Sequence, residues 1–271
     1  MTCSTAWRWI MDELIIREDG KYKTYEELLL RRDQLHKEAA SIHVAYVKEF
    51  GELLLKDFEL KLECIKKRKM IAYCLSRVNR GLAIDVQEMN SRIERELALY
   101  NLELKQMAEQ KSEADKAKTC PAYKVQKAKR IYRRIAKMIH PDINPAAAAD
   151  ETVRELWERV VIAYHCNDDI ELDNLEILVR RALKENGAVA SGISVDDLDD
   201  RIARLEDEIN SILTSEPYVW HELLESPDSI ENKKQQLRKA IAESISYSEE
   251  LSLMLKEIIA EGGVPIAWIE D

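Results

Sequence analysis

From Thr24 to about Asn79 the chain contains no proline and a single glycine, Gly51. A stretch with so few breakers has one economical backbone solution, because proline removes an amide donor and glycine costs helix entropy. Apolar residues Leu28, Leu35, Ile42, Ala45, Phe50, Leu54, Phe58, Leu62 and Ile65 recur at mixed steps of three and four, the period of a helix with one buried face. An unbroken helix of that length would run roughly 80 Å at about 1.5 Å per residue, and Gly51 is the place where a break is expected. Upstream, Asp19-Gly20 lies between two short β-tolerant runs and signals a hairpin turn. Thr24 with Glu27 three residues on reads as a capping box. Residues 1–23 are therefore expected to be the least helical part.

The same logic extends to the whole chain, whose 271 residues include only 7 Gly, 6 Pro and 2 Phe, with 34% charged. A sheet-rich fold needs more turn residues and more aromatic and β-branched runs, so the fold class is mostly α. Asp85, after the turn NRGLAI, is placed to cap a second long helix reaching about Lys118. Residues 1–118 thus read as an N-terminal segment followed by a long antiparallel helical hairpin. Thr119-Cys120-Pro121 ends it, and helices over 122–139, about 150–166 and about 171–185 make a second domain, 119–186. The sequence ENGAVASGIS reads as a linker. Val195, Leu198, Ile202, Leu205, Ile209 and Ile212 then alternate at three and four, the seam of a coiled coil. With a last helix ending at Gly262-Gly263, residues 194–271 are expected to form a C-terminal coiled-coil hairpin, ending in the apolar tail VPIAWIED. Such a seam is also suited to pairing copies of the chain, and the arms to holding a client or adaptor protein.

A net charge of −10 argues against a surface built to grip nucleic acid. Cys3, Cys64, Cys74, Cys120 and Cys166 are an odd set without close spacing, neither a disulfide framework nor a zinc site, and fit a reducing compartment. Arg8, Asp12 and Glu13 interrupt any apolar signal core, and no window reaches the roughly 18 apolar residues of a membrane span. A cytoplasmic protein without membrane contact is expected. His221-Glu222 and Glu225 resemble half of a zinc-protease helix whose second histidine is missing, so no metal is expected. No glycine-rich phosphate loop or nucleophile accompanies any histidine, so neither an enzyme nor a cofactor is expected. Lys66 to Lys69 reads as a solvated basic face, and the five tryptophans as packing residues.

The middle of the chain carries the one motif that asks for a function. His140-Pro141-Asp142 must be a loop, since proline lacks an amide hydrogen and biases its predecessor away from helical angles. In the helix before it, Ala128, Tyr132, Ile135, Ala136 and Ile139 share one side, and Lys127, Arg130, Arg134 and Lys137 another. From Lys124 to Lys137 there are seven basic residues and no acidic one. In the helix after it, Val153, Trp157, Val160, Ala163 and Tyr164 form one apolar stripe. Two such helices should pack antiparallel through their stripes and leave the basic face in water.

Tyr132 through Pro145, YRRIAKMIHPDINP, followed by Trp157, Val160 and Ala163-Tyr164, resembles the J-domain of DnaJ-type co-chaperones over about 45 residues, 122–166. The resemblance implies a small helical domain whose loop and basic second helix bind the ATPase domain of a DnaK-type heat-shock chaperone and promote hydrolysis there. Carried over residue by residue, it assigns His140, Pro141 and Asp142 to the loop and Lys127, Arg130, Arg134 and Lys137 to the basic face. Physically, Asp142 is a short acid suited to an arginine on a partner, Pro141 fixes the approach angle, and His140 holds the turn. The basic face would speed encounter with an acidic surface. The family's first-helix Tyr-x-x-Leu-Gly pattern has no counterpart here. The slot holds EADKAK, and the end of the preceding long helix, residues 107–118 with Met107, Ala114 and Ala117, is expected to cover the groove around Ile131, Ile135, Val160 and Tyr164. Beyond Tyr164 an acidic segment replaces the family's basic fourth helix. A coiled-coil adaptor or assembly protein that keeps a J-like fold without stimulating a chaperone stands as the alternative.

Overall fold

A computed structural model describes the backbone over residues 3–117, 120–185 and 198–261, and side chains over 20–117, 120–184 and 198–260. Among the described residues the fold is mostly helical, with no strand. None of the described helices is long and apolar enough to cross a membrane.

The first helix, α1 (Cys3–Val78), runs through Asp19-Gly20 and through Gly51 without interruption. The expected hairpin and the expected start at Thr24 are therefore not formed. Thr24 Oγ1 donates to the carbonyl of Gly20 at 3.1 Å, the back-bond of a mid-helix threonine rather than a cap. The local turn preference loses because a helical glycine costs only about 1 kcal/mol. Continuing the helix buries Tyr25, Leu29 and Leu30, each worth about 1.5–3 kcal/mol.

The chain divides into two compact units, residues 1–41 with 118–219 and residues 42–117 with 220–271. In the second, the end of α1 runs antiparallel to α2 (Val86–Lys116), as the pairs Tyr73–Glu88, Lys69–Glu96 and Lys48–Ala117 require. Asp85 caps α2 as expected, accepting from the amide of Glu88 at 2.9 Å. The last helix, labelled α9 below (Pro227–Glu261), completes the core, with Leu251, Leu255 and Ile259 packed among Ile71, Cys74, Met89 and Ile93.

Gly51 is a close-approach site, not a break. A Cβ there would lie 2.6 Å from Cδ of Lys111 and 3.3 Å from Cγ1 of Val47. The closer neighbour is the flexible stem of an exposed ion pair, Lys111–Asp115, worth about 0.3–0.5 kcal/mol. Replacing a helical glycine by alanine returns about 1 kcal/mol. Gly51→Ala should therefore be neutral to slightly stabilising in urea unfolding, whereas a β-branched residue at 51 should destabilise.

The first unit holds α3 (Ala122–Ile139), the short α4 (Pro145–Ala148), α5 (Glu151–His165), α6 (Asp169–Glu185) and α7 (Leu198–Thr214). The remaining short helix, α8 (Trp220–Glu225), opens the return to the second unit and stacks Trp220 on Tyr46 at 4.0 Å. Sequence and structure agree on the helices around the loop, except that four of the loop's residues coil into α4.

Ala128, Ile131, Tyr132, Ile135 and Ile139 of α3 and Val153, Val160, Ala163 and Tyr164 of α5 do form one core. Its third wall is α6, whose Leu172, Leu175, Val179 and Ala182 follow steps of three, four and three, and Leu30 of α1 joins them. The cover expected from residues 107–118 is thus supplied instead by α6 and α1, and 107–117 belong to the second unit. The stripe on α6 is long enough to fill the groove, and a short connection folds it back. Asn167 takes the left-handed conformation at φ 55° and Asp168 accepts from the amide of Glu171 at 3.0 Å.

The heptad stripe also has other partners than expected. Leu205 is buried with Tyr25, Leu29 and Ile143, and Leu198 and Ile202 pack against the same cluster. Residues 194–271 are accordingly shared between the two units, α7 in the first and α9 in the second. Val195, the Gly262-Gly263 stop and the VPIAWIED tail lie outside the described residues.

Candidate partner-binding site

The His-Pro-Asp loop is fixed by its own polar atoms. The amide of His140 caps α3 onto the carbonyl of Ala136 at 2.8 Å, and its carbonyl accepts from Ile143 at 3.0 Å and Asn144 at 2.7 Å. Nδ1 of His140 accepts from the amide of Asp142 at 3.0 Å, so in the neutral ring Nε2 carries the proton. That Nε2 faces Oδ2 of Asp33, on α1, at 3.5 Å. The ring meets Trp157 edge-on at 4.8 Å between centroids. Asn144 closes the loop, donating to Met138 and accepting from the amide of Ala147 as the cap of α4. Pro145, the residue after it, starts α4 without needing a donor. His140 therefore holds the turn, with its side chain only 6% exposed, while Asp142 is presented at 49%.

The acid it presents is already engaged. Oδ2 of Asp142 lies 3.7 Å from the guanidinium of Arg32, which also reaches Asp33 at 3.1 Å and Glu208 of α7 at 3.6 Å. Beside it the phenol of Tyr22 donates to the carbonyl of Ile143 at 2.6 Å. Asp33 is the hub of the arrangement, accepting from the phenol of Tyr132 at 2.7 Å. Burial pushes its carboxyl up, but the hydrogen bonds of His140 and Tyr132 and the charge of Arg32 prevail and hold it below the usual range. Burial, with the Asp33 charge beside it, pushes the Tyr132 phenol far upward.

The basic face lies in water as expected, and three of its four cations are also partnered within the unit. Lys127 pairs with Asp169 at 2.9 Å and Asp173 at 2.7 Å, Arg134 with Glu176 at 2.6 Å, and Lys137 with Glu26 of α1 at 3.2 Å. Arg130 is exposed, with no ion pair among the described residues. All three paired cations keep 39–51% of their side chains exposed, and such pairs are worth about 0–1 kcal/mol. A partner's carboxylates could replace these at small cost.

Of the residues singled out in the sequence, His140, Pro141 and Asp142 share one loop at the end of the helix that bears Lys127, Arg130, Arg134 and Lys137. Sequence reasoning missed Tyr22, Glu26, Arg32 and Asp33 on α1 and the acids of α6, which supply most of the site's polar partners. Nothing in the spacing of α1 marks them. Among the described residues no group of three or more histidines, cysteines or carboxylates is arranged to hold a metal. Compared with protein-family models, curated proteins and solved structures, the chain matches none.

Proposed function

We propose that this chain is a DnaJ-like co-chaperone, binding the ATPase domain of a DnaK-type heat-shock chaperone through the His140-Pro141-Asp142 loop and the basic residues of α3. The observation that carries the reading is the pairing of a motif with its mechanics. His140 spends Nδ1 on the amide of Asp142 and so aims that acid outward at the end of a basic helix. A loop that merely reversed the chain would need neither the ring nor the exposed carboxylate. The helical arms would then select the client or the location.

Single-turnover ATP hydrolysis by a DnaK-type chaperone tests it, with the co-chaperone titrated to saturation. The wild type should raise the rate well above basal, and Asp142→Asn, which keeps size and fold, should return it to basal. Wild-type and variant rates that coincide at the basal level at saturation would refute the proposal.

The adaptor reading has its own support in the burial of His140 beneath α1. Under that reading Asp142→Asn leaves the binding of the chain to other proteins unchanged.

A further inference from the structure

Arg32 occupies the position that a partner's cation would need. Its guanidinium lies within 3.7 Å of Asp142, the acid the loop presents, and is only 21% exposed. It is held from the other side by Glu208 of α7, and α7 is itself held by Leu205 against Tyr25, Leu29 and Ile143. Ile143 follows Asp142 directly, so the same two helices grip both the acid and the residue after it. Lys137, on the basic face, is paired with Glu26, nearly two turns before Arg32 on α1. One surface of α1 therefore presents a cation to the loop's acid and an acid to the helix's cation.

We infer that α1 and α7 form an intramolecular clasp that competes with the partner for the loop, with Arg32 standing in for the partner's basic residue. The inference rests on the co-chaperone reading and names how that site is regulated. The two ion pairs that α1 makes to the motif, Arg32–Asp142 and Glu26–Lys137, have the signs a partner would bring, so clasp and partner exclude one another. Binding then draws only on the open fraction of molecules, and the apparent affinity falls by that fraction while the affinity of the open form is untouched. Opening moves only the Arg32 side chain away from Asp142 and leaves the apolar contacts of α1 and α7 in place. Its ion pairs are individually weak, so the closed form is favoured modestly and a strong partner opens it.

Two measurements on the full chain separate the clasp from the reading beneath it. The first is amide hydrogen exchange over residues 139–144, in the wild type, Arg32→Ala, Glu208→Gln and Arg32→Lys. Loop exchange should speed up roughly two- to fivefold in Arg32→Ala, less in Glu208→Gln, and little in Arg32→Lys, with α3 and α5 protected as before. The second is titration of ATPase stimulation. Arg32→Ala should lower the half-maximal concentration by about two- to fivefold at an unchanged maximum, since Arg32 is not part of the docking surface. Unchanged loop exchange in Arg32→Ala overturns the clasp whatever the chaperone does. Faster exchange with an unchanged half-maximal concentration overturns it too. A freed loop with no stimulation at saturation, in variant and wild type alike, refutes the co-chaperone reading and the clasp with it.

Discussion

Asp33→Ala should cost the first unit about 3 kcal/mol, more than any charge in the motif itself. The carboxylate is 16% exposed and accepts from the phenol of Tyr132, itself 4% exposed, at 2.7 Å. Truncation strands that hydroxyl and the Nε2–H of His140, and an unsatisfied buried donor costs about 1–3 kcal/mol. In urea the midpoint should fall by about 1–3 M for a slope of about 1–3 kcal/mol per M. Asp33→Asn, which keeps an acceptor oxygen for Tyr132, should lose about half as much. A midpoint unchanged in Asp33→Ala would mean that the network contributes nothing to the fold.

The same carboxylate sets an acid limit. Its folded-state pKa is below the ordinary value, so its stabilisation is complete above about pH 4 and is lost as pH falls through the folded-state value. Asp169, bonded by Lys127, and Glu176, bonded by Arg134, are held down as well and act in the same window. The wild type should lose stability below about pH 4 more steeply than Asp33→Asn, which has one such group fewer.

The two helices around the loop were legible because their stripes repeat at helical period and proline marks the boundary. The loop was legible because Pro141 cannot continue α3. What occupies the far side of each stripe was not. An apolar stripe says that a face is buried but not against what, and Leu198, Ile202 and Leu205 fit α1 as well as they fit a coiled-coil mate. The partners of the motif lie far off in sequence, Asp33 beside Tyr132 and Glu176 beside Arg134, and carboxylates on a charged helix look alike until the fold selects one. Asp19-Gly20 misled for a different reason, since a turn dipeptide states a local preference that burial of Tyr25 and Leu29 overrides.

Lys37 carries the second large expected effect. Its side chain is buried, and its ammonium donates to the carbonyl of Tyr164 and to Oδ1 of Asn167, both at 2.6 Å, while lying 3.7 Å above the Tyr164 ring. It thus gives the carbonyl of Tyr164, near the end of α5, a second donor beside the amide of Asn167 at 3.1 Å. Lys37→Ala should cost about 2–4 kcal/mol, combining the lost hydrogen bonds of a charged donor with the lost ring contact. Lys37→Met keeps the stem's packing and should cost less. Burial lowers the amine to about 8. Below that pH the folded chain carries a charge that burial disfavours. Between about pH 8 and 10.4 the unfolded chain binds the proton that the folded chain has released, so this group makes stability rise with pH. Deprotonation leaves two N–H groups, enough for both acceptors, so the hydrogen bonds survive it. Tyr164, pushed up to about 12 chiefly by burial, acts oppositely above about pH 10, where only the unfolded chain loses the phenol proton. The urea midpoint of the wild type minus that of Lys37→Met should accordingly widen from pH 7.5 to 10. A difference that is flat or narrows over that range would place the Lys37 amine at its ordinary pKa and remove the burial argument.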